Sequence, residues 1–446
     1  MGHERGALSD MTRIICYSAL FSISSVIIVL NNLSDQYFVT IQDKIQIQAY
    51  TLDVPFFWIM MAAGAGLSAV YSLDIRKHIR SGNIQAANEA AIRALVYSVI
   101  FGIGFSIVSF LFMSLVFFLF ADHDVAEQAA EYLLPLHIFY FVISLNSVLG
   151  GILNAEGKFK SHVTGLLIML VANFMFDTLF VKELGLGLFG NGMGTVCSAA
   201  VALAAQLFLY AVGRTQVKLS LANFRWSADA ALAAFIRIKL FLVRHLTKDL
   251  AELGVRFTIY LVYSLTYGIP MLFSALIATV GAGAGAYLSS EYEKLYVSRD
   301  REGVKRLFIR STVAIMSVTF LMAVLMFLFA DDLTMPFQTE ATEESIETMQ
   351  WTMRILVFTA PFVSLKYLAN AVSAPVGRFR NATAMLIVWA SFKVIAVVYA
   401  SDIDYWSIIY VILIERILAA LVSVILTIWH IRNTYEHADA AAARAA

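Results

Sequence analysis

Residues 94–121 read ALVYSVIFGIGFSIVSFLFMSLVFFLFA, 28 positions without a single charge. A helix needs about 20 apolar residues to cross roughly 30 Å of hydrocarbon, and a surface helix of a water-soluble protein keeps a polar face. This stretch has none, so lipid is its solvent. The rest of the chain agrees: of 446 residues 60% are hydrophobic and 14% charged, too apolar for a soluble core to hide.

Working outward from this stretch, apolar runs of similar length predict spans at 14–41, 49–73, 91–121, 129–153, 163–181 and 186–212, then at 235–261, 267–290, 307–330, 349–373, 383–400 and 405–431. The section 240–256 is the least hydrophobic of them. The first run is too long, and lacks the small-residue site, for a cleavable signal peptide. With the N-terminus inside, the inner loops collect Arg76, Lys77, Arg80, Arg299, Arg301 and Lys305, while the outer loops hold Lys44 and Lys182 and gather Asp122, Asp124, Asp331, Asp332, Asp402 and Asp404. That asymmetry follows the positive-inside rule. It predicts twelve spans, both termini cytoplasmic, in a multi-pass protein of the plasma membrane.

Three strings recur in one order. AEGKFK at 155–160 matches PVGRFR at 375–380, AAGAG at 62–66 matches GAGAG at 281–285, and FLFAD at 118–122 matches FLFAD at 327–331. The first pair is offset by 220 residues, and six spans separate the copies, so both halves keep one orientation: a parallel repeat about an axis along the membrane normal. The expected fold is all-α, with residues 1–213 as an N-terminal six-helix bundle, 214–234 as a cytoplasmic linker and 235–446 as a C-terminal six-helix bundle. Cys16 and Cys197 both lie inside spans and offer neither a disulfide framework nor a metal site. His137, His162 and His245 are scattered singly, and no string suits a nucleophile or a metalloenzyme, so the chain is not read as an enzyme.

Polar residues inside spans are costly and face a cavity or a partner. Asn173 and Asp177 stand four residues apart on one helix face, and Asp35 lies toward the outer end of the first span within NNLSD, 31–35. Two carboxylates meeting in a low-dielectric interior take up and give up protons readily. With amide and hydroxyl oxygens, such as that of Thr195, they also suit a hard cation such as sodium. Capping of helix ends is the plainer account of each acid alone. At the 220 offset Val255, Lys393 and Val397 replace Asp35, Asn173 and Asp177, so this site belongs to the first half. The second half carries Arg244, Lys248, Glu252, Arg256, Lys366, Lys393, Glu415 and Arg416. Ion pairing among them, as of Lys248 with Glu252, is one account; a cavity for an anionic or zwitterionic substrate is the other.

The order of Asp35, the Gly-rich second span ending in DIRK (74–77) and SGN (81–83), LNAEG (153–157), Asn173 to Asp177, and GLGLFGNGMGT (185–195) resembles the multidrug and toxic compound extrusion (MATE) transporters, in particular the archaeal and DinF-like branch. The resemblance implies two six-helix bundles that alternate in access and export small organic molecules against protons or sodium. It implies a cation site at Asp35, Asn173, Asp177 and Thr195, and a cavity position at Asn146. In a second branch the coupling acids sit in the seventh and tenth helices; Glu252 matches the former, but Lys366 and Lys393 stand where acids are expected. Glu252, Arg256, Lys366 and Lys393 are therefore read as cavity or substrate residues. The alternative function is a flippase of lipid-linked or anionic amphiphilic substrates. The implied partners are a small-molecule substrate and membrane lipids, without nucleic acid, acting on a monomer; no cofactor is implied beyond the H+ or Na+ that couples transport.

Overall fold

The computed structural model describes residues 2–338, 341–373 and 379–445, with side chains over 10–433 apart from 230, 235, 240, 241, 244, 245, 260–263, 265 and 379–385. The second copy of the basic loop, 375–380, and the side chains of Arg244 and His245 fall outside or partly outside these residues. Every regular element among them is helical. In order they are α1 (Gly2–Thr40), α2 (Lys44–Arg80), α3 (Ile84–Phe120), α4 (His123–Ile138), α5 (Tyr140–Ala155), α6 (Phe159–Asp177), α7 (Gly187–Ala211), α8 (Ala228–Val297), α9 (Arg301–Leu328), α10 (Ala330–Thr334), α11 (Glu343–Leu356), α12 (Thr359–Ser373), α13 (Phe379–Ser401) and α14 (Tyr405–Ala445).

Among the described residues nine helical stretches are long and apolar enough to cross a membrane, and the bent pair α4–α5 makes a tenth. The two remaining expected spans are the first part of α8 and α13, whose end Leu386–Ser401 is a shorter apolar helix. The fourth expected span is thus one crossing broken at Phe139, with a 54° bend. Pro135 sits in this segment and gives the helical ladder no N–H, while Ser106 donates to the His137 carbonyl and the His137 ring bonds the Leu133 carbonyl. The seventh and eighth expected spans differ from expectation in another way. They form one unbroken helix of 70 residues, and the boundary between compact units, Ser264 to Leu265, falls inside it.

The helices are built for lipid. The α3 side chains of Ile100, Ile103, Ile107, Leu111 and Leu115 are exposed, whereas its buried face carries Ala87, Ala91, Ala94, Ser98, Gly102, Ser106 and Ser109. Outside a membrane that arrangement would be inverted. Inside one, large apolar groups meet acyl chains and small residues let backbones approach.

One compact unit comprises residues 31–264, the other residues 1–30 with 265–446. Each repeats one packing device. In the first, Gly64 of α2 lies against Ser144 and Ser147 of α5; in the second, Gly281 and Gly285 of α8 lie against Ser364 and Tyr367 of α12. Positions 144 and 364, and 147 and 367, are 220 apart, the offset at which the basic loops match. The FLFAD strings likewise end α3 and α9. Within the first basic loop Gly157 has φ +77° and closes α5, its neighbour Lys158 donating to the Leu153 carbonyl at 2.8 Å; a side chain is disfavoured there.

The next residue back, Glu156, ties that loop to the segment after α7. Its Oε2 accepts the Gln216 N–H at 2.9 Å and its Oε1 the Tyr210 hydroxyl at 3.2 Å. Burial pushes the Glu156 carboxyl above its ordinary range, more than these donors and Lys158 hold it down. A raised folded value means that the protonated form favours folding, so this contribution is complete below the ordinary carboxylate range and lost as pH rises through the raised value. Wild type is expected to lose thermal stability over that interval relative to Glu156→Gln; parallel melting curves across it would remove the assignment.

Candidate functional site

α7 opens with glycines at 187, 190, 192 and 194, and each faces a different neighbour. A Cβ on Gly190 would press on the Phe180 carbonyl at 3.0 Å, one on Gly192 would run into the Tyr132 carbonyl and Pro135 of α4, and one on Gly194 would collide with Asp177 Oδ1 of α6. Helix propensity argues against so many glycines; close approach of three backbones requires them. The run therefore draws α4, α6 and α7 together around Asp177. A six-residue π-helical turn, Thr178–Glu183, follows α6 directly, its Leu184 N–H reaching the Leu179 carbonyl at 2.9 Å.

Asp35, Asn173 and Asp177 are each fully buried, and Thr195 is 3% exposed. Asn173 Nδ2 donates to Asp177 Oδ2 at 2.9 Å, the helical pair expected from the sequence. The Asp35 carboxyl lies against Asn173 and Asp177. Asn191 Nδ2 donates to the Asp35 carbonyl at 3.3 Å, and the Thr195 hydroxyl turns back to the Asn191 carbonyl at 3.4 Å. Asp35, Asn173 and Asp177 are thus drawn into one cluster, and Asn191, part of the quoted glycine string but not singled out in it, joins them, whereas the Thr195 hydroxyl bonds the backbone of its own helix.

Acceptors outnumber donors here. Both Asp35 oxygens, Asp177 Oδ1, Asn173 Oδ1, Asn191 Oδ1 and Asn31 Oδ1 are buried with no hydrogen-bond partner among the described residues. Buried polar atoms are nearly always satisfied, and a surplus of oxygen acceptors is what a proton or a hard cation supplies with partners. Among the described residues no group of three or more His, Cys, Asp or Glu side chains forms a transition-metal site.

Asn146 lies apart from this cluster: its Oδ1 accepts from Gln206 Nε2 at 2.8 Å and its Nδ2 faces the Met169 sulfur at 3.7 Å. Arg256 is 5% exposed and donates from Nη1 to the Thr51 carbonyl of α2 at 3.1 Å, with Glu252 3.5 Å from its Nε. Glu252 thus pairs forward with Arg256 rather than back with Lys248, which stands 3.9 Å from Asp249. Both belong to the compact unit of the acids, whereas Lys366 and Lys393 belong to the other. Lys393 is buried, Glu415 stands 3.5 Å from Arg416, and neither lysine is free of partners.

The family model MatE matches residues 21–179, a stretch that contains Asp35, Asn173 and Asp177. An inward-facing structure of a multidrug resistance MATE family transporter of the MOP superfamily is 20% identical, covers 91% of this chain and 95% of its own, and superposes with a TM-score of 0.81. An outward-facing structure of such a transporter is 20% identical over 95% of this chain and 96% of its own, with a TM-score of 0.72. A MOP superfamily transporter from Pyrococcus furiosus, described as having a binding pocket of reverse polarity, is 21% identical over 95% and 96%, with a TM-score of 0.71. No curated protein matches the sequence. The chain matches the MatE model over residues 21–179 and has, over nearly its whole length, the all-α membrane fold of twelve spans in two bundles that the MATE transporters have.

Proposed function

We propose that the chain is a secondary active transporter that exports small organic molecules by alternating access, in antiport with protons or sodium. The observation that supports it is the buried, donor-poor cluster of Asp35, Asn173 and Asp177, with Thr195 buried on α7, in a polytopic membrane fold. Such oxygens gain a partner when an ion enters, so the arrangement with ion bound and the arrangement without it differ in free energy. An imposed ion gradient then biases the bundle's conformation, which is what coupling requires. The residues 1–213 and 235–446 are proposed as the two bundles, joined by the linker 214–234, with both termini cytoplasmic.

The protein in proteoliposomes loaded with a panel of cationic, zwitterionic and anionic dyes tests this. A proton or a sodium gradient is expected to accelerate release of at least one dye, and the gradient that does so names the coupling ion. Release indifferent to both gradients would overturn the antiport reading.

A flippase of lipid-linked or anionic amphiphiles is the second reading, suggested by the basic side chains Arg256, Lys366 and Lys393 within the expected spans of the second half. In the same liposomes, movement of anionic lipid-linked probes with no movement of dyes would select it.

A further inference from the structure

Asp53 stands nine residues into α2, beyond the set described above. It is fully buried, and neither carboxylate oxygen has a hydrogen-bond partner among the described residues. A bare charge in such a place is expensive, and at membrane depth an ionisable side chain marks function. Its surroundings are specific. Tyr50 lies three residues earlier on the same helix, and its ring meets that of Tyr132 of α4 edge-on at 5.1 Å; both tyrosines are at most 2% exposed. The Tyr132 carbonyl packs on the Gly192 position of α7, and two residues on, Gly194 abuts Asp177 Oδ1, so the tyrosine pair leads from Asp53 toward the acid cluster.

Among the described residues, the other elements packed on α2 leave Asp53 without a counter-charge. The Arg256 guanidinium is engaged by the Thr51 carbonyl and Glu252. From α3, Tyr97 meets α2 at Tyr71, and from α5, Tyr140 bonds the Met60 carbonyl, both farther along the helix. From α7, Asn191 is turned to the Asp35 carbonyl.

We propose that Asp53 is a proton-binding site of this unit, its charge coupled through the Tyr50–Tyr132 pair to Asp35 and Asp177. One O–H bond forms at a carboxylate oxygen when a proton enters and breaks when it leaves, with no redox change. The unit then holds one exchangeable proton more than the Asp35–Asp177 pair carries. Its part in transport rests on the coupling role proposed for that pair; the protonation of Asp53 does not.

Infrared difference spectra of the full-length protein in liposomes, taken on stepping the pH, test this through the C=O stretch of protonated carboxyls. Wild type is expected to show a band that disappears in Asp53→Asn, moves in Asp53→Glu, and titrates over a displaced interval in Asp35→Asn and in Tyr132→Phe. A difference spectrum unchanged by both Asp53 substitutions would overturn the proposal, and a band indifferent to Asp35→Asn and Tyr132→Phe would overturn the coupling. Should Asp53→Asn fail to fold, the band shift in Asp53→Glu decides alone. Gradient-driven release that survives Asp35→Asn while the Asp53 band persists would remove Asp35 from coupling and leave this proposal standing.

Discussion

Asp35→Asn and Asp177→Asn are each expected to abolish gradient-driven release, while passive binding of a substrate survives. Asparagine keeps the shape of the side chain and removes its charge. A charge-assisted contact contributes about 1.5–3 kcal/mol, and at 1.4 kcal/mol per tenfold its loss weakens ion binding by roughly 10- to 150-fold. Asp177→Asn should still fold, because an amide oxygen can accept the Asn173 bond now made to Oδ2 at 2.9 Å. Gly194→Ala is expected to produce the same transport defect with every charge in place, since the added methyl would occupy the position of Asp177 Oδ1. Proteoliposome release under an imposed gradient reads all three. Transport intact in both asparagine variants would remove these acids from coupling, and a Gly194→Ala protein as active as wild type would show that the close approach of α6 and α7 is dispensable.

The second large effect concerns α2. Pro55 has no N–H, so the carbonyl of Thr51, four residues earlier, loses its helical donor. Arg256 takes the place of that donor at 3.1 Å. Arg256→Ala is expected to destabilise the protein by about 1–3 kcal/mol, the cost of a buried polar group left unpaired. In a Pro55→Ala background the helix supplies its own N–H, and the same substitution should cost markedly less. The difference, read from thermal melts of the four proteins, is a coupling energy of about 0.5–3 kcal/mol for residues in contact. Strictly additive costs would show that Arg256 serves another purpose there.

Hydropathy made the membrane class and most spans legible because lipid imposes one simple requirement on every crossing segment. It reports the lipid-embedded length rather than the helix. The second span, expected over 49–73, is a helix from Lys44 to Arg80, whose last turns carry Asp74, Arg76, Lys77 and Arg80. It also cannot see breaks or joins: neither the bend at Phe139 nor the continuity of α8 leaves a mark in the hydropathy. The pair Asn173 and Asp177 was legible because four residues in a helix make neighbours. Asn191 was hidden in a string whose glycines drew the eye, and the purpose of those glycines is visible only once α6 lies against α7. Asp53 did carry a signal, a carboxylate inside an expected span two residues before a proline. The pairing of Arg256 with the Thr51 carbonyl joins residues 205 apart, beyond any local pattern.

The π turn after Asp177 has a mechanical meaning. A π turn holds an extra residue per hydrogen-bonded ring, and such turns recur at functional sites. At 3.6 residues per α-helical turn, shifting the register by one residue rotates whatever precedes it by about 100°. Passage of that extra residue toward the N-terminus, beyond Thr178–Glu183, would turn the Asp177 carboxylate, now set against Gly194, to another face of α6.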